Sequence, residues 1–154
     1  MKKAELILAN FDARIPKIEI KPKNTESKVI ISSKMYDEKT DKKISVKITF
    51  SGVVAIDFRI NYFDCMIGAE AFGLYCVKDK TFVESIAKSN YDRRKEIFLL
   101  EGDYNYDEDD ENDILNCFDI GGRYSESIDD YSAYIQNVDA GTYIIVAKDY
   151  QIER

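Results

Sequence analysis

Residues 101–113 read Glu-Gly-Asp-Tyr-Asn-Tyr-Asp-Glu-Asp-Asp-Glu-Asn-Asp, the densest set of potential ligand groups in the chain. Asp103, Asn105, Asp107, Asp109 and Glu111 fall at alternate positions, as the oxygen ligands of an EF-hand loop do. The match then fails. Glu108 stands where the sharp turn needs Gly, and Ile114 stands where a bidentate Glu is needed. Specific calcium binding is therefore not expected, and no metal or other cofactor is assigned. A different chemistry fits the same residues. The carboxylates of Asp107, Glu108, Asp109, Asp110, Glu111 and Asp113 can pair with Arg and Lys of a partner, while Tyr104 and Tyr106 supply rigid anchors at low entropic cost. Downstream, Asp129 and Asp130 stand among Tyr124, Tyr131 and Tyr134 and repeat the mixture. These ten residues, from Tyr104 to Asp130, are the candidate partner-binding set. The bland alternative is a solvated loop that only confers solubility, as runs of like charge usually are. Two aromatics inside the run favour recognition.

Catalytic options are few. The chain has no His, which removes Ser-His-Asp and Cys-His catalysis, His-ligated zinc and the usual general base near neutral pH. A small enzyme or ligand-binding domain built on carboxylates stays as an alternative. Among so many acids, however, some pair always looks suggestive, so no catalytic residue is assigned and an enzyme is not expected. Cys65, Cys76 and Cys117 are odd in number and widely spaced. They fit neither a disulfide framework nor a zinc pattern, and read as buried thiols in a reducing compartment.

Charge is sorted along the chain. Residues 1–50 carry 12 Lys and Arg against 7 Asp and Glu, residues 51–100 carry 7 against 7, and residues 101–154 carry 3 against 15. This drift points to an acidic surface that meets a basic partner. Nucleic acid is a poor fit, because phosphates would also feel the acidic third, although Lys21, Lys23, Lys28 and the 39–43 loop offer some positive charge. Gly121-Gly122 lacks the spacing of a phosphate-binding loop. The apolar run near the N-terminus, from Leu6 to Ala9, is shorter than the roughly 7–15 residues of a signal h-region. No segment approaches the roughly 20 apolar residues of a membrane span. A cytoplasmic, membrane-free protein is expected.

The elements that must carry these residues are mostly strands. Segment 43–50 alternates apolar and polar at every step, and 28–36 is rich in β-branched residues. The polar stretch 37–42 between them suits a hairpin. Segment 53–63 alternates again after Ser51-Gly52, which predicts an up-down-up meander over 28–63. A short strand at 17–21 between Pro16 and Pro22 should lie at an edge. Another strand is expected at 71–77. Thr81-Phe82-Val83-Glu84 has the form of a capping box, and an amphipathic helix follows at about 82–94. The apolar run 97–100 reads as a buried strand. Segments 131–137 and 142–150 read as a hairpin, and 143–147, apolar throughout, as an interior strand covered on both faces. The expected fold is α+β, a single domain over 1–154, mostly antiparallel β-sheet with one main helix.

Small size, acidity, α+β character and the lack of catalytic residues, together with Glu101–Asp107 (EGDYNYD) and Asp139–Val146 (DAGTYIIV), give the chain a character that resembles the immunity proteins of bacterial polymorphic-toxin systems. No family motif is matched residue by residue, so no functional positions are carried over. The resemblance implies a cytoplasmic protein that neutralises a cognate toxin domain, often a basic nuclease, by binding it. A structural or adaptor domain that self-associates through exposed strand edges is a further alternative. The oligomeric state is not fixed by the sequence.

Overall fold

The computed structural model describes residues 4–9, 17–21, 27–60, 73–100, 128–138 and 141–154. Nine strands and one α-helix occur among them: β1 (Glu5–Ala9), β2 (Lys17–Ile20), β3 (Lys28–Asp37), β4 (Lys42–Ser51), β5 (Ala55–Ile60), β6 (Gly73–Val77), α1 (Lys80–Leu100), β7 (Ser132–Val138), β8 (Gly141–Ala147) and β9 (Asp149–Glu153). A 3-10 turn, Ile128–Asp130, leads into β7. The strands form a five-stranded sheet, β1-β6-β7-β8-β5, and a four-stranded sheet, β2-β3-β4-β9. Every pairing is antiparallel. Mostly antiparallel sheet with one main helix is thus observed, with strands dominating.

The period-2 pattern of β3 and β4 decides which sides are buried. Val29 faces Phe50, Ile31 faces Ile48 and Met35 faces Ile44 across the hairpin. Five of these six side chains are buried, and Ile44 is partly so. They meet Leu8, Leu74, Cys76, Tyr134, Tyr143 and Ile145 of the other sheet in one core. Rings close that core: Phe50 lies 5.1 Å from Tyr134, and Phe58 meets Tyr143 edge-on at 5.3 Å. The opposite face of the five-stranded sheet carries α1. There Val83 and Ile86 pack on Ala55, Val77, Tyr131, Ala133 and Val146. Strand β8 therefore serves both cores, with Tyr143, Ile145 and Ala147 on one side and Val146 on the other. This is why its sequence shows no alternation, as expected for a strand covered on both faces.

Three sequence expectations are corrected. The meander over 28–63 stops at Ser51: β5 leaves β4 and pairs with β8 in the other sheet. The chains β4–β5 and β8–β9 run alongside each other through this corner. Ser51 faces Asp149 before it and Ala55 faces Val146 after it, so four steps on one chain match three on the other. One residue bulges out, which bends the ladder and redirects it. Gly52, at φ +63, supplies the left-handed backbone this needs. Second, the helix is capped by Asp79, whose Oδ1 accepts from Phe82 N–H at 3.3 Å, and not by a Thr81–Glu84 box. Third, residues 97–100 form the last turn of α1, with Ile97 exposed. Four apolar residues are too few for periodicity to tell strand from helix. No helix among the described residues is long and apolar enough to cross a membrane.

Candidate functional site

Of the ten candidate partner-binding residues, the described structure contains Asp129 and Asp130. Tyr104, Tyr106, Asp107, Glu108, Asp109, Asp110, Glu111 and Asp113 lie outside it, as do Tyr124, Cys65, Cys117 and Gly121-Gly122. Asp129 and Asp130 are both exposed and end the 3-10 turn. The next residue, Tyr131, is 4 % exposed and packs with Val83 and Ile86 of α1. Lys148 Nζ lies 5.8 Å from the centre of its ring, within cation–π range. The turn itself lies against α1. Burial of Tyr131 thus fixes the chain next to two solvent-facing carboxylates, an arrangement that holds them in place before any partner arrives.

Tyr131 and Tyr134 do not act as surface anchors. Tyr134 is 4 % exposed, sits on the inward side of β7 and touches Phe50 and Tyr150. Alternation explains this: Ser132, Tyr134 and Gln136 share the face of β7 that meets the four-stranded sheet. Burial pushes the Tyr134 hydroxyl far above its ordinary value and also pushes the Cys76 thiol up. Both groups stay neutral near physiological pH, so Cys76 is a core thiol.

The described lysines of β2, β3 and β4 lie on the four-stranded sheet, across the molecule from this turn. Cross-strand partners share a face, so Lys17, Ser32 and Lys47 form one outward row of the four-stranded sheet. Lys34 with Ser45, and Tyr36 with Lys43, form the next two. Carboxylates are interspersed: Glu19 lies 3.3 Å from Lys17 and Glu153 lies 3.7 Å from Lys47. The neighbouring Lys17 holds the Glu19 carboxyl below the usual range, with a smaller contribution from Lys21. Two sheets separate this face from Asp129 and Asp130 on the helix side. The sorting is partial in space: of the four described acids of the last third, Asp129 and Asp130 lie on the helix side, where α1 also carries Lys80, Lys88 and Arg93, while Asp149 and Glu153 lie on β9 of the lysine-bearing sheet.

Asp92 and Glu96 share a shallow groove with Arg59, Lys88 and Arg93, and Lys88 bonds Asp92 at 2.9 Å. No group of three or more His, Cys, Asp or Glu that could hold a metal occurs among the described residues. A feature the sequence reading did not single out is a cleft of about 270 Å³ where the two sheets part, walled by Ile20, Val53, Val54 and Ile56. Lys21 and Lys28, noted in the sequence only for their charge, both line it. Its signal was Ile20, an apolar residue at the end of a short edge strand. Comparison with protein-family models, with curated proteins and with solved structures finds no match to this chain.

Proposed function

We propose that this protein is a non-catalytic binding module that neutralises a basic protein partner through its acidic C-terminal third, in the manner of a bacterial immunity protein acting in the cytoplasm. The observation that carries the reading is the charge sorting: 15 acids against 3 bases in residues 101–154, with the described pair Asp129–Asp130 exposed on an anchored turn on the side away from the lysine face. Fixed carboxylates raise the encounter rate with a cationic partner and reject anionic ones. A nuclease fits this description, since its substrate groove must be basic to hold phosphates. The mechanism is occlusion of that groove, with Tyr104 and Tyr106 adding apolar contact beside the carboxylates.

The test is co-expression with a cationic toxin domain encoded next to this chain, followed by stopped-flow association of the purified pair. The double variant Asp129→Lys/Asp130→Lys should slow association and steepen dissociation, and raised salt should slow the wild type toward the variant. An association rate indifferent to both salt and charge reversal contradicts the reading.

A further inference from the structure

The outer face of the four-stranded sheet collects lysines from segments that are apart in sequence. Lys17 of β2 and Lys21 just past it, Lys28 and Lys34 of β3, and Lys43 and Lys47 of β4 alternate with the inward side chains of these strands. Glu19 of β2 and Asp149 and Glu153 of β9 stand on the same face, so among the described residues it carries six cations against three carboxylates. Residues 10–16 and 22–26, on either side of β2, hold one acid and one base each and leave that sum unchanged. The carboxylates are held loosely. The Lys17–Glu19 and Lys47–Glu153 pairs, at 3.3 and 3.7 Å, are open to solvent, and such pairs contribute little. An arriving carboxylate can exchange into them.

The face also has a seat. β9 pairs with Lys47–Ser51 and stops at Glu153, whereas β3 and β4 run on to Asp37 and Lys42. At this step lies a shallow groove of about 450 Å³, lined by Ser32, Lys34, Ser45, Lys47, Glu153 and Arg154. From the groove outward, three successive rows each present an ammonium, from Lys47, Lys34 and Lys43. Same-face rows lie about 6.8 Å apart along a strand. An extended chain repeats its side chains at that same spacing, and Asp107, Asp109, Glu111 and Asp113 of the acidic run stand at alternate positions.

We infer that this face docks the acidic run 101–113 of a second copy of the chain, in extended form, with alternate carboxylates over the Lys47, Lys34 and Lys43 rows. Charge complementarity picks the run: eight of its thirteen residues are acidic and none is basic. Reach picks the second copy. The run begins directly after Leu100, the last residue of α1, and Ile128–Asp130 lies against α1 again. Three residues span at most about 11 Å. The helix layer and the two sheets, which pack about 10 Å apart, are deeper than that. The run therefore cannot lie whole on the lysine face of its own molecule. Copies at net charge −7 repel at long range, so the contact forms only at close approach and stays weak. No toxin partner is needed for it, although one would compete for the same run.

The test is sedimentation equilibrium of the whole chain over a concentration series. At about 0.15 M salt the mean mass of the wild type should rise above the monomer value, and at about 1 M salt, where screening acts within about 3 Å, it should return to it. Lys34→Glu/Lys47→Glu reverses the face, and Asp107→Lys/Asp109→Lys/Glu111→Lys reverses the run. Each alone should weaken self-association about tenfold or more, with an unchanged circular dichroism spectrum. Mixed in equal amounts, the two variants should associate again, because each offers the surface complementary to the other. Lys80→Glu, exposed on α1, should change affinity less than about twofold. A wild type that stays monomeric up to about 1 mM, a mass indifferent to salt, or a mixture no heavier than its components would overturn the proposal. Toxin binding is not read in this experiment, so its failure and the failure of the toxin reading are separate results.

Discussion

Gln136 offers an unusual sign. It is 1 % exposed, lies on the core side of β7 between Leu74 and Tyr143, and neither its Nε2 nor its Oε1 has a hydrogen-bond partner among the described residues. A buried, unsatisfied amide loses its water and recovers nothing, at a cost of about 1–3 kcal/mol. Methionine has nearly the same length and volume and no such requirement. Gln136→Met should therefore stabilise the protein by about 1–3 kcal/mol, where most core substitutions destabilise. For a chain of this size each kcal/mol moves Tm by about 2–4 °C, so the melting point should rise by roughly 2–12 °C. Urea titration should show a higher midpoint with an unchanged slope. The near-isosteric Gln136→Glu should be strongly destabilised near neutral pH and recover in acid, since only the protonated form tolerates burial. A Gln136→Met protein that melts at or below the wild-type temperature would refute the reasoning, because the amide would then be contributing a favourable interaction.

Other expectations follow from single positions. Gly52→Ala places a Cβ at φ +63 and within 3.0 Å of Lys148 Cγ and Cδ, and should cost about 1–3 kcal/mol in chemical denaturation. Asp79→Ala removes the cap of α1 and should cost about 1 kcal/mol, with faster amide exchange confined to the first turn of the helix. Glu19 should titrate below the ordinary glutamate range by carboxyl NMR, and return to it in Lys17→Gln. Because its carboxyl is depressed in the folded state, its small contribution is present above the ordinary glutamate value and is lost as pH falls through the lowered one.

Much of the strand content was legible because half-buried strands write their burial as alternation. Ile44, Val46, Ile48 and Phe50 all turn inward, while Lys43, Ser45, Lys47 and Thr49 turn outward. The run 143–147 announced cover on both sides by having no polar residue. The corner was not legible. Val54, Ile56 and Phe58 continue the alternation of β4, and nothing in Ser51-Gly52 distinguishes a hairpin turn from a bulge that carries the chain into a second sheet. Which of the two forms depends on β8–β9, nearly a hundred residues away in sequence. The tyrosines misled for a related reason. Tyr131 and Tyr134 look like surface anchors beside Asp129 and Asp130, but Tyr131 packs under α1 and a strand starts at Ser132, whose alternation takes Tyr134 into the core. The cleft at Lys21 and Lys28 needed the same long-range pairing, since its walls come from β2, β3, β5 and α1.

The excess of 15 acids over 3 bases in residues 101–154, with Asp129 and Asp130 exposed on the helix side, gives the acidic third its proposed role. The most direct measurement is affinity capture of a cationic toxin domain, encoded beside this chain, on immobilised wild type and on Asp107→Ala/Asp109→Ala/Asp110→Ala combined with Asp129→Lys/Asp130→Lys. Retention by the wild type at low salt, release as salt is raised, and no retention by the variant is the expected result. Equal retention on both columns, or none on either, contradicts it.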